Sequence, residues 1–144
     1  MKKNMILTIL LLGVISIILS GCGKQAGSEF IGTWKYASSY NDAPYEYFYI
    51  IEKAKNGDTT YMVTYYRLGV DSFKKALSGK VELATEKKQF PVKYVDGILE
   101  KDSSVKYYLQ DGKLIIDKDS YERVSDKSMT FEEMNNGRGY PTPK

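Results

Sequence analysis

Few residues in this chain are equipped for covalent chemistry. The 144 residues include no histidine and one cysteine, Cys22, which removes the imidazole base, the imidazole metal ligand and any disulfide within the chain. A serine nucleophile would need an unusual base such as lysine, and no motif of that kind stands out. Asp117 and Asp119, two positions apart, would share one face of a strand. Asp96-Gly97 and Asp111-Gly112 suggest calcium loops, yet no twelve-residue spacing of oxygen ligands goes with them. Solvated turn carboxylates fit them better. Nothing favours a pair of glycosidase acids. The expectation is a protein that is not an enzyme and holds no metal or other cofactor. The residues left for function are the tyrosines, thirteen of them, and the lone thiol.

Cys22 closes a distinctive N-terminal run. Lys2 and Lys3 are basic, Met5 to Ile18 is apolar apart from Thr8, Gly13 and Ser16, and Leu19-Ser20-Gly21-Cys22 follows. A basic start, an apolar stretch of about 7–15 residues and small residues before the cut make a secretory signal. The run is shorter than the roughly 20 apolar residues of a membrane span. Leu19 to Cys22 resembles the lipobox of bacterial lipoproteins. That resemblance implies cleavage before Cys22, diacylglycerol on its thiol and, often, an acyl chain on the new amine. Two acyl chains hold a protein at a membrane where one is marginal. The implied location is the extracytoplasmic side of the cell membrane, with residues 1–21 as signal and 22–29 as lipidated tether.

The mature chain, residues 22–144, suits one domain with a single core. Loss of Lys2 and Lys3 lowers the formal charge from +3 to +1. A near-neutral domain has no electrostatic footprint for nucleic acid. Residues 30–136 carry the pattern of the domain, and 137–144 read as a loose tail.

Short alternating segments separated by turn residues make that pattern, as expected for an all-β protein. Phe30–Ser39 opens the series. Pro44–Lys53 follows, with Tyr45, Tyr47, Tyr49 and Ile51 on one face and Phe48 and Ile50 on the other. Asn56-Gly57 is a tight-turn dipeptide leading into Thr59–Leu68, where Tyr61, Val63 and Tyr65 oppose Met62 and Tyr66. Residues 70–78 break the alternation. Asp71 or Ser72 would cap a short helix there and Gly79 would end it. Strands resume at Lys80–Thr85, with Val81 and Leu83 inward, and at Phe90–Val95, Ile98–Lys101, Val105–Gln110, Lys113–Asp117 and Tyr121–Val124. Met129–Met134 reads as a strand or a short helix, with Thr130 and Glu133 at capping-box spacing. Segments this short favour an antiparallel meander, and closure into a small up-and-down barrel would remove its edges.

Phe30-Ile31-Gly32-Thr33-Trp34 bears on the family. A Gly-x-Trp on the first strand, followed by an all-β meander, resembles the lipocalins and the wider calycin superfamily. The resemblance implies Trp34 at the closed end of the barrel with a basic residue from a late strand across its ring. Arg123 is the candidate, which makes Gly32, Trp34 and Arg123 a structural signature. The expected function is binding of a small apolar or amphipathic molecule by a membrane-anchored barrel, with Tyr47, Tyr49, Tyr61 and Tyr65 lining the cavity. The alternative is a cell-envelope interaction module with a filled barrel and a protein partner.

Overall fold

The structure, a computed structural model, describes residues 25–40, 43–102 and 104–143. The signal and lipobox residues 1–22, Cys22 included, lie outside the described residues. Eight strands follow one another in chain order around a closed antiparallel barrel. They are β1 (Gly32–Tyr40), β2 (Ala43–Lys53), β3 (Thr60–Val70), β4 (Leu83–Val95), β5 (Ile98–Glu100), β6 (Lys106–Gln110), β7 (Lys113–Ile116) and β8 (Asp119–Ser125). β8 pairs back on β1 and completes the cylinder. A 3-10 turn, Ser28–Phe30, precedes β1. Helix α1 (Ser72–Ser78) joins β3 to β4, and α2 (Phe131–Asn135) follows β8. This is the all-β up-and-down barrel that the alternation predicts, and it is consistent with a calycin- or lipocalin-like architecture.

Period-two patterning assigns the two faces. β2 and β3 pair Tyr49 with Tyr65 and Ile51 with Val63, while β1 sets Trp34 beside Tyr49 and Tyr36 beside Tyr47. These side chains point inward. The closed half of the interior is solid, filled by Phe30, Trp34, Ile51, Tyr61, Val63, Val92, Leu99 and Leu114. Phe48, Ile50, Tyr66 and Leu68 point outward from β2 and β3, and Phe131 and Met134 of α2 cover them in a second core. A strand apolar on both faces is thus buried on both. Thr130 caps α2, accepting from the Glu133 N–H at 3.2 Å while the Glu133 carboxylate accepts from the Thr130 N–H at 2.7 Å.

Several local expectations need correction. The segments 80–85 and 90–95 belong to one strand, β4, whose even-numbered residues Phe90 and Val92 pack inward. Leu83 therefore falls on the outer face, and Val81 precedes the strand and is 63% exposed. Asn56-Gly57 lies within a longer loop closed by Ala54 N–H donating to the Thr60 carbonyl. The two-residue turns with positive φ are at Asp96-Gly97 and Asp111-Gly112 instead. Residues 138–140 are pinned rather than loose. Arg138 donates to the Met134 carbonyl and pairs with Glu46, and Asn135 exchanges hydrogen bonds with the Tyr140 backbone.

Candidate ligand-binding site

The floor of the barrel is built from the Gly-x-Trp segment. Trp34 is fully buried, and its indole N–H donates to the Phe30 carbonyl at 2.9 Å. The Arg123 guanidinium lies 4.1 Å from the Trp34 ring centroid, well within cation–π range. Arg123 also donates to the Ile31 carbonyl at 2.7 Å and to the Glu29 carbonyl. One side chain thus stacks on the tryptophan and ties the incoming chain across the barrel end. Gly32 has φ of 136°, and a Cβ there would sit 2.5 Å from the Ser125 carbonyl oxygen. Only glycine lets β1 and β8 approach so closely where the barrel seam closes. Gly32, Trp34 and Arg123 therefore stand together at the closed end.

Tyr61 stands there too. It is fully buried and its hydroxyl donates to the Ala26 carbonyl at 2.6 Å. Tyr61 shares a strand face with Tyr65, but four residues of strand separate them by about 13 Å. Its place is thus in the floor rather than the cavity lining expected of it. Tyr45 packs its ring over Gly69, where a Cβ would meet the ring at 2.3 Å.

Above the packed half lies a cavity of about 550 Å3. Tyr47, Tyr49 and Tyr65 line it as expected from the alternation, joined by Tyr36, Tyr107 and Tyr121. The rings form one connected cluster. Tyr49 lies 5.1 Å from Tyr65, 6.0 Å from Tyr107 and 5.0 Å from Tyr121, while Tyr36 lies 5.5 Å from Tyr121. The edge-to-face settings of Tyr49 on Tyr107 and Tyr121 suit aromatic quadrupoles. Phe90, Val105 and Ile116 add apolar wall, and Lys88, Lys101, Asp117 and Asp119 bring charge to the same space.

Burial governs the phenols. It pushes the hydroxyls of Tyr65, Tyr107 and Tyr121 far above the ordinary tyrosine value, with the neighbouring Tyr49 adding to each shift. Burial also raises Tyr49, against the hydrogen bond it shares with Tyr121, and Asp117 and Asp119 raise it further. The cavity thus presents neutral hydroxyls set among ring faces. Such a surface can hydrogen-bond and stack.

The charged residues at the opening come from separate elements. Lys88 on β4 pairs with Glu86 at 2.6 Å, and Glu86 also faces Arg67 at 3.4 Å. The Lys101 ammonium lies 4.3 Å from the Phe90 ring centroid. Asp117 lies in the β7–β8 turn with φ of 55° and Asp119 opens β8. Among the described residues neither makes an ion pair. Their i, i+2 spacing was legible in the sequence; their approach to the tyrosines was not, because it depends on which barrel end the turn closes. Tyr36, Tyr107 and Tyr121 carry the same alternation as Tyr47, and that signal could have found them. The described residues include no cluster of acids, cysteines or histidines suited to a metal ion.

No protein-family model, no curated protein and no solved structure matches this chain.

Proposed function

We propose that this protein is a lipid-anchored extracytoplasmic lipoprotein that binds a small amphipathic molecule in a lipocalin-like barrel. The cavity of about 550 Å3 is the observation that carries the ligand-binding part of this reading. It falls within the roughly 300–1,000 Å3 of small-molecule pockets. Its rings offer apolar contact and its hydroxyls offer hydrogen bonds, which suits an amphipathic ligand better than a plain hydrocarbon. A filled barrel serving only as an interaction module would not leave this space. Anchoring rests on the run from Lys2 to Cys22, whose order of charge, apolar stretch and lipobox fits a lipoprotein signal.

The two parts of the reading combine into an orientation. The chain joins the closed end of the barrel by Ala26, and Cys22 lies four residues upstream, a reach of at most about 14 Å. A lipid on Cys22 would hold the closed end towards the membrane. β3 is 11 residues long; at about 3.3 Å per residue and a tilt near 40° it carries the opening roughly 27 Å further out. The ligand then enters from the aqueous side.

Purification of the anchored protein from its own envelope, followed by native mass spectrometry, tests the binding. A co-purified small molecule that is lost on replacing Tyr49 with Trp is the expected result. An unliganded mass, together with no response to lysolipid or fatty acid titration, would refute the binding reading. Metabolic labelling with a palmitate analogue tests the anchor: wild type should label and Cys22→Ser should not.

A further inference from the structure

We infer that the cavity selects ligands carrying an organic ammonium group, held in the tyrosine box against Asp117 and Asp119. This rests on the ligand-binding reading above and names the ligand class. Ring faces are the negative side of the aromatic quadrupole, and tyrosines set around one space form a cage for a desolvated cation. Here Tyr49, Tyr65, Tyr107 and Tyr121 line one cavity of about 550 Å3, and Tyr49 is in ring contact with the other three at 5.0 to 6.0 Å between centroids. Asp117 and Asp119 border the same cavity and form no ion pair among the described residues, so they keep charge to offer.

The two lysines of the lining are differently placed. Lys88 is already paired with Glu86 at 2.6 Å. Lys101 rests on Phe90, itself an example of a cation on an aromatic wall of this cavity. The lysines stand on β4 and just after β5, whereas the carboxylates stand at the β7–β8 turn. The acidic side of the opening lies beside two of the tyrosines: Tyr107 pairs with Ile116, next to Asp117, and Tyr121 is two residues from Asp119 on β8. A cation on the acidic side meets rings and carboxylates together; an anion there meets both as repulsion.

Three probes with one aromatic body separate this inference from the reading beneath it. Benzyltrimethylammonium, benzylsulfonate and benzyl alcohol are titrated calorimetrically into the full chain in nonionic detergent, against a detergent blank. The ammonium should bind about tenfold or more tighter than the sulfonate, the scale of a desolvated cation–π contact. Asp117→Asn with Asp119→Asn should remove most of that preference, since Asn also tolerates the positive φ at position 117. Asp111→Asn, which removes the same charge from a turn at the closed end, outside the cavity lining, should preserve it. Added salt should weaken the ammonium and leave benzyl alcohol unchanged. Equal or tighter binding of the sulfonate, or a preference that survives the double Asn variant, overturns the ammonium inference while binding of the alcohol keeps the ligand-binding reading. Failure of all three probes overturns both.

Discussion

Replacing Trp34 with Phe perturbs the barrel floor while keeping an aromatic ring in place. The Phe30 carbonyl, buried and bonded to the indole N–H at 2.9 Å, loses its donor. An unsatisfied buried acceptor costs about 1–3 kcal/mol. The smaller ring leaves a void worth about 1 kcal/mol more. Arg123, 4.1 Å from the Trp34 centroid, keeps a ring to stack on, although Phe is a weaker partner than Trp. The expected loss is therefore about 2–4 kcal/mol, a large share of the 5–15 kcal/mol that stabilises a typical domain. Trp34→Ala should lose more, about 3–5 kcal/mol from truncation alone, and is the less informative variant because much of it would be unfolded. Urea unfolding followed by far-ultraviolet circular dichroism measures both, since the substitution removes the only tryptophan. Combining Trp34→Phe with Arg123→Met closes a double-mutant cycle. The two residues share a contact and tie the same incoming segment, so they should couple by about 0.5–2 kcal/mol. A loss below about 1 kcal/mol for Trp34→Phe, or additivity within about 0.3–0.5 kcal/mol in the cycle, would refute the view of Trp34 and Arg123 as one floor.

Glu46 ties β2 to both Lys35 and Arg138; burial raises its carboxyl, but the hydrogen bonds from Lys35 and Arg138 outweigh this and hold it below the ordinary value. Its contribution should be complete above about pH 4.3 and fade as pH falls through the lowered value. Hydrogen exchange across α2 should therefore rise in acid, and an equal acid response in Glu46→Gln would count against this pair. Tyr49, Tyr65, Tyr107 and Tyr121 are all shifted upward by burial, so the stability they confer is fully present below about pH 10 and lost as pH rises through the shifted values. Ultraviolet titration should find their ionisation delayed beyond the ordinary tyrosine range; smooth titration of every tyrosine near pH 10 would contradict the buried cluster. For the anchored orientation, a probe at Asp111→Cys, in a turn at the closed end, should be quenched by nitroxide headgroup lipid, whereas one at Lys118→Cys in the β7–β8 turn should not. Equal quenching would rule that orientation out.

The chain order of strands was legible because local rules act on local residues. Alternation over 45–51 and 61–66, Asp-Gly pairs that accept positive φ, and a capping box at Thr130 and Glu133 each depend on a few neighbouring positions. Gly32 and Trp34 stood out by type, and their partner Arg123 by the family that Gly-x-Trp resembles. Tertiary structure decided what periodicity cannot encode. Alternation says that Tyr61 and Tyr65 share a face; it does not say how far up the barrel each lies, so one became floor and the other cavity wall. Phe48 and Ile50 look like a second inward face until α2, about 80 residues later, arrives to cover them. Leu83 and Val81 depended on where β4 begins, which the pairing of Leu83 with Val70 sets. The cavity lies furthest from the sequence. Lys88, Asp117 and Asp119 meet the tyrosines only because closing eight strands brings β4 and the β7–β8 turn to one opening, and that closure is a property of the whole sheet rather than of any segment in it.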